Sequence, residues 1–525
     1  MRILILAFSF FATLATASAA VRLTATPQKF RTFYKNDSAE VPAALTAIPS
    51  SARPMAAAPD GAIWTGSAIG LTRSAQKEIA SRRIQFFAGK RYLPDDSVEA
   101  ILPEKNGVWV RTATGVSHIE FRLMSLAQKA AIFEQRVASR HDRHGLVADS
   151  HLKTPGDLAT SQTVPSDNDG LWTAIYSTAA CFRYAVEPTP ANLERARQAT
   201  EAILFLEQIT GRSGFPARSL VTAGEKPSSD GMWHWTPDGK YRFKGDTSSD
   251  ELVGHFFAFA IAYDLLPDPT LKARIAATTS RVMDHILDHD LTLTDITGFA
   301  TYWGRWSEDY FASDRGRSDA PLNAVELLSF LKSAHHITGN PRYETEYKRL
   351  ALARGYAQLS GKVIELREEL NYSDEELAFL PLYLLFRYEK DAKLLGLYRV
   401  ALDGWWQNAQ REQNPLWTMI YMLGRPGAKA DLESAVETLY RMPVDMITWK
   451  MTNSQRTDVP MAKDNDRHRR PQSIRLLPAD ERPVMRWNGN PFQVDGGNNG
   501  SSENDGAHFL LPYWLGRYHK LLAGE

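Results

Sequence analysis

Apolar and polar positions change rhythm near residue 125. Before it, short apolar stretches alternate with turn residues, which predicts a β-rich segment over residues 21–122. From Ser125 onward the period is helical, and two kinds of helix alternate. One kind is apolar all round, at 169–186, 250–266, 320–337, 375–389, 414–423 and 505–521. The other is amphipathic, at 126–142, 191–210, 270–289, 341–358, 391–410 and 428–441. A helix apolar on every side must be buried on every side, whereas an amphipathic one turns a flank to water. Punctuation agrees: Gly339-Asn340-Pro341 ends one helix and starts the next, with Pro at a first helical position.

Four apolar segments open with the same acidic phrase: Ser166-Asp167-Asn168-Asp169, Ser248-Ser249-Asp250-Glu251, Ser373-Asp374-Glu375-Glu376 and Ser502-Glu503-Asn504-Asp505. Ser followed three residues later by an acid is a capping box, in which each side chain binds the other's backbone N–H. That register assigns Asp169, Glu251, Glu376 and Asp505 to helix caps. Asp167, Asp250, Asp374, Glu375 and Glu503 are then surplus to capping. Like charges gathered at one face are costly unless solvated, metal-bound or functional.

Six apolar helices alternating with six amphipathic ones resembles the (α/α)6 toroid, over residues 123–525. The resemblance implies a mainly α fold whose inner helices run parallel and bring their N-termini to one face. It also implies a secreted glycoside hydrolase or polysaccharide lyase. Upstream, two phrases repeat. Asp60-Gly61 precedes Trp64 and Gly70, and Asn106-Gly107 precedes Trp109 and Gly115. These resemble two-component-regulator propeller repeats of periplasmic sensors. A closed propeller needs about four blades or more, so a partial β module over residues 21–122 is expected.

Composition narrows the picture only modestly. Lys+Arg and Asp+Glu balance at 61 each, which gives no charge-based reason to expect nucleic acid as a partner. Arg2, the apolar run Ile3–Leu14 and Ala17-Ser18-Ala19 read as a signal peptide over residues 1–20, hence a periplasmic or secreted protein free of the membrane after cleavage. Cys181 is the single cysteine, so no internal disulfide forms. Oligomeric state is not legible.

The candidate chemistry lies in the loops before the apolar helices. They hold Trp233, Trp235, Trp303, Arg305, Trp306, Trp487 and Asn488. Trp and Tyr stack on the flat C–H faces of sugar rings, while Asn, Arg and His bond the hydroxyls. Trp172, His255 and His508 sit on the first turns of the helices behind these loops. The non-periodic stretch 452–502 reads as a lid or cleft wall. Glycoside hydrolysis needs two carboxyl groups flanking the bond, ~6.5–9.5 Å apart for inversion, and packed helices lie about 8–10 Å apart. Asp250 and Asp374 are the expected acid/base pair, with Glu375, Asp167 and Glu503 in reserve.

Two alternatives stay open. One is a lyase on a uronic-acid glycan, using groups such as Arg218, Arg305, His255 and Tyr372. The other is a non-catalytic glycan-binding or sensory protein. The expected partner in each case is an oligo- or polysaccharide. No cofactor is required, although the oxygen-rich runs Asp495–Asp505 and Asp167–Gly170 would suit Ca²⁺. There is no HExxH or CxxC motif for zinc. His468-Arg469-Arg470 reads as a solvated basic loop.

Overall fold

The computed structural model describes residues 29–367 and 371–524. The leader expected over residues 1–20 lies outside the described residues. The fold is mainly α, with several small antiparallel sheets. No described helix is long and apolar enough to cross a membrane.

The first hundred described residues form two four-stranded sheets. Their strands are β1 (Phe30–Lys35), β2 (Met55–Ala57), β3 (Ile63–Ser67), β4 (Gly70–Ser74), β5 (Ile84–Phe87), β6 (Val98–Glu104), β7 (Gly107–Thr112) and β8 (Val116–Met124). One sheet runs β2-β3-β4-β5 and the other β1-β8-β7-β6. Each carries one of the repeated tryptophans: Trp64 on β3 packs on Phe87 and Phe121, and Trp109 on β7 stacks on His118.

Twelve longer helices follow. They are α1 (Leu126–Arg136), α2 (Asp169–Val186), α3 (Pro190–Gln208), α4 (Ser249–Leu265), α5 (Pro269–Asp288), α6 (Asp314–Thr338), α7 (Pro341–Lys348), α8 (Tyr372–Tyr388), α9 (Ala392–Ala409), α10 (Pro415–Gly424), α11 (Leu432–Arg441) and α12 (Ala507–Tyr518). Short helical turns lie in the connections. The even-numbered helices are the apolar ones. They pack in succession, α2 on α4, α4 on α6, α6 on α8, α8 on α10 and α10 on α12, and α12 returns to α2. The odd-numbered helices pack outside them: α3 on α2 and α4, α5 on α4 and α6, α7 on α6, α9 on α8 and α10, α11 on α10, and α1 on α12. One continuous core of buried aromatic and aliphatic side chains fills the assembly.

Helix starts depart from the expected register where capping differs. α6 begins six residues before the apolar run, because Ser313 accepts the Gly316 N–H and a polar first turn precedes Pro321. α8 begins three residues early, with Asn371 at the N-cap. α12 starts only at Ala507, since Gly506 holds a left-handed φ of 98°.

The β module docks on the α11 region and the segment after it. Arg82 grips Glu437 with two bonds of 2.8 and 2.6 Å. Arg441 reaches the Ser81 carbonyl at 2.9 Å, and the Phe86 N–H donates to Glu481. The stretch 452–502, expected to lack structure of its own, is pinned around the buried trio Val459, Leu477 and Val494.

Candidate functional site

The four Ser–acid phrases do not form the four expected capping boxes. In the first, Asp169 is the first residue of α2, with Asn168 at the N-cap. Its Oδ1 accepts the Ser166 N–H and hydroxyl, and its Oδ2 pairs with Arg143 at 3.0 Å. In the second, Ser248 is the N-cap of α4 as expected, but the box bonds are not made. In the fourth, Ser502 and Glu503 form a strand beside residues 150–151, and Asp505 accepts the Ala507 N–H at 2.6 Å.

The third phrase reverses its roles. Ser373 lies inside α8, so Asp374 rather than Glu376 occupies the third helical position. Asn371 Nδ2 donates to Asp374 Oδ1 at 2.8 Å, and the Arg367 guanidinium holds Oδ2. Glu376, two residues further along the helix, is buried, and its Oε1 has no hydrogen-bond partner.

Acids of α4, α6 and α8, with Asp505 just before α12, feel one another's charge. Burial raises Glu376 to about 8, and the charges of Asp250 and Asp505 add to the rise. Burial also raises Asp374, against Arg367, with Asp250 and Asp319 assisting. Glu326 on α6 lies well above the usual carboxylate range through burial, with Asp250, Asp374 and Asp319 nearby. The charge of Asp250 thus acts on all three of these acids. Asp250 itself is half-buried, raised by burial, and moderated by Arg218 without a salt bridge to it. Such perturbed clusters are where acid–base chemistry is found.

The other acids divide by their partners. Glu251 is fully buried against α2 and well above its ordinary range. Glu375 and Glu412 are both buried, and burial raises both. Asp167 is exposed and salt-bridged to Lys244 at 2.5 Å. Glu503, expected as a reserve catalytic acid, has both oxygens taken. Arg140 binds them at 2.6 and 2.8 Å, and Arg136 approaches at 2.8 Å. Burial alone would raise Glu503, yet Arg140, His141 and Arg136 hold it down at about 2.

The aromatic expectations separate in the same way. Trp303 is 46% and Trp235 56% exposed. Arg315 lies over the Tyr302 and Trp303 rings, and Arg242 over Trp235; Arg305 is half-buried and bonds the Thr301 carbonyl. This hairpin is tied to the acids through Asp246, which accepts the Tyr302 N–H while its carbonyl takes Arg218. Trp306, expected beside Trp303 in a sugar cleft, is instead fully buried, with its indole N–H 2.9 Å from Glu326 Oε2. Trp233 is half-buried against Lys244.

Trp172, Trp487 and His508, expected to bind substrate, are instead buried together. His508 on α12 packs between Trp172 at 5.3 Å and Trp487 at 4.7 Å, and Arg486 covers Trp172. Burial lowers His508 to about 4. His255 on α4 is also lowered to about 4 by burial, and its Nδ1 is 2.6 Å from the Glu251 carbonyl. Asn488 receives the Ser373 hydroxyl on its carbonyl at 3.2 Å.

Glu326, Glu412, Arg367 and Arg486 were not singled out from the sequence. Glu326 had a signal, as a lone acid in an otherwise apolar helical run. Arg367 and Arg486 had none, since what they pair with is decided by folding. In the oxygen-rich run, Asp495 is bonded by the Ser454 N–H and hydroxyl, and Asn498 by its neighbours Ser501 and Ser502. Among the described residues, no group of three His, Cys, Asp or Glu side chains is placed to hold a metal ion.

No protein-family model matches the chain, and no curated protein matches it. Among solved structures it is similar to a metagenome-derived glycoside hydrolase family 9 endoglucanase, at 10% identity and TM-score 0.31 over 86% of this chain and 95% of that one. It is similar to AaCel9A in complex with cellobiose-like isofagomine, at 12% identity and TM-score 0.42 over 94% and 100%. A third is cellobiose 2-epimerase from Spirochaeta thermophila DSM 6192, at 15% identity and TM-score 0.30 over 55% and 72%.

Proposed function

We propose that the cyclic helix packing is an (α/α)6 toroid and that the protein is a periplasmic or secreted enzyme that hydrolyses glycosidic bonds. The observation that carries this reading is the pairing of Asp250 and Asp374. Both are half-buried at the starts of α4 and α8, two helices in direct contact, and the charge of Asp250 acts on Asp374. Packed helices have axes about 8–10 Å apart, which leaves room for the ~6.5–9.5 Å carboxyl separation of an inverting pair.

The roles follow from the partners. Arg367 and Asn371 hold Asp374 in the form that accepts hydrogen bonds, the carboxylate. It is the base that takes a proton from the attacking water. Asp250 is raised by burial and makes no salt bridge among the described residues. It is the acid that protonates the departing glycosidic oxygen. The exposed rings of Tyr302, Trp303 and Trp235 supply stacking surfaces for the glycan beside this pair. Glu503 and Asp167 act as supports rather than catalysts, because each is salt-bridged elsewhere, and Glu375 is fully buried.

A lyase would need a strong base near the scissile unit. Of the candidates, His255 is fully buried, and burial together with Glu412 and Glu375 raises the Tyr372 hydroxyl above its ordinary value. Hydrolysis is therefore preferred. The test is incubation with a panel of neutral and acidic glycans, following new reducing ends and the ultraviolet absorbance of unsaturated uronates together. New reducing ends without absorbance are expected. Absorbance would mean a lyase, and sugar binding without any product would mean a non-catalytic protein.

A further inference from the structure

A cleft of about 310 Å³ opens beside Asp374, at the first turn of α8. That lies within the ~300–1,000 Å³ range of small-ligand sites. One wall is Asn371 and Tyr372, the residues that precede Asp374; another is Asn488 and Asn490. These groups suit a sugar, with one aromatic ring and several amides able to both donate and accept. The same residues join the cleft to the acid pair, because Asn371 bonds Asp374 and Ser373 bonds Asn488.

The remaining wall is cationic. It carries Arg467, His468 and Arg470, with Asp466 as its one acid. Asp466 is already occupied. Its Oδ1 accepts the His468 and Arg470 N–H groups at 2.9 and 2.8 Å, and its Oδ2 faces the Arg470 guanidinium at 3.2 Å. Arg470 is thus neutralised, and the turn is held in place. No hydrogen bond or ion pair engages the Arg467 guanidinium or the His468 ring among the described residues, although both line the cleft. Across the cleft, the charge of Asp374 is balanced by Arg367. The uncompensated charge of the cleft is therefore positive. A neutral sugar makes no use of it, whereas a carboxylate or sulfate matches an arginine fork.

We propose that this cleft binds a negatively charged sugar unit of the glycan, a uronate or a sulfate ester, through Arg467 and His468. The proposal rests on the hydrolase reading for its place in a reaction, and on the cleft alone for its binding. The test is calorimetric titration of the full protein with three probes: oligogalacturonate, a sulfated carrageenan oligosaccharide, and a neutral cello-oligosaccharide. Wild type is expected to bind at least one anionic probe tenfold or more tighter than the neutral one. The double variant Arg467→Gln/His468→Gln, on an exposed turn, is expected to lose that preference, and added salt should weaken only the anionic binding. Which anionic probe binds separates carboxylate from sulfate. Equal affinity for charged and neutral probes, no binding of any, or a preference untouched by the double variant would overturn the proposal. Reducing ends measured on the same mixtures report separately on hydrolysis. Anionic binding without products sinks the hydrolase reading and leaves the cleft. Cleavage of neutral glycan, indifferent to the variant, does the reverse.

Discussion

His508 on α12 holds its Nε2 3.8 Å from Glu376 Oε1 on α8, and neither atom has a hydrogen-bond partner. Burial raises the acid to about 8 and lowers the imidazole to about 4, so both are neutral near pH 6–7. Two neutral groups lie in the centre of the helix ring where a charged pair would be costly to desolvate.

The stability of the fold should report this pair. An unfolded Glu titrates near ~4.3, and above that pH the unfolded chain releases a proton the folded chain keeps. Glu376 therefore makes stability fall as pH rises from there to about 8. For His508 the fall runs the other way, as pH drops from ~6.5 towards about 4. Glu376→Gln should gain several degrees of Tm over wild type at pH 8 and little at pH 5. An equal offset at both pH values would show that the group is not proton-linked.

Asp250→Asn and Asp374→Asn should each lower kcat by about 10²–10⁴-fold, the usual share of general acid–base catalysis. Asp250→Asn should leave the thermal midpoint nearly unchanged. Asp374→Asn should also lower it, because the amide no longer balances Arg367. Full activity in both variants would remove the proposed pair.

Glu503→Gln should act on folding instead of turnover. It leaves Arg136 and Arg140 without their anion, a loss of about 3–5 kcal/mol for a broken buried pair. Because Glu503 is held at about 2, its contribution is complete above the unfolded value of ~4.3 and fades as pH falls towards 2. Denaturant melts at pH 7 and pH 3 should show a large gap between variant and wild type that narrows at the lower pH.

Trp303 and Trp306 stand three residues apart and should answer alanine differently. Trp303→Ala removes an exposed ring, so KM for a glycan should rise with little change in Tm. Trp306→Ala empties a fully buried site and strands Glu326, at a cost of about 3–5 kcal/mol. Kinetics and thermal melts on both variants check this contrast.

Gly170 on α2 leaves the space that the Glu251 carboxyl fills, since a Cβ there would collide with Glu251 Oε2. Gly170→Ala should destabilise by about 1–3 kcal/mol through overpacking. The double variant Gly170→Ala/Glu251→Ala should recover part of that loss in a chemical denaturation series.

The helix alternation was legible because complete burial has a direct signature: α4 and α10 have almost no polar residue beyond their first turn. The acids at the helix starts were legible for the same reason, as the last polar residues before an apolar run. Their division of labour was not. A shift of two residues in the N-cap of α8, from Ser373 to Asn371, moved the third helical position from Glu376 to Asp374.

By itself, the sequence determined which segments are helices buried on all sides and that acids stand at their beginnings, because hydrophobic periodicity is a local property of the chain. Only the tertiary structure decided which of those acids is free. Arg143 claims Asp169, Arg140 claims Glu503 across most of the chain, and Arg367 claims Asp374, while Asp250 keeps no such partner. The charge state of a carboxyl depends on how deeply packing removes it from water and on which guanidinium folding brings within reach. Both are set by how the folded chain packs, mostly through contacts between residues far apart in sequence, so the hydrophobic pattern does not record them.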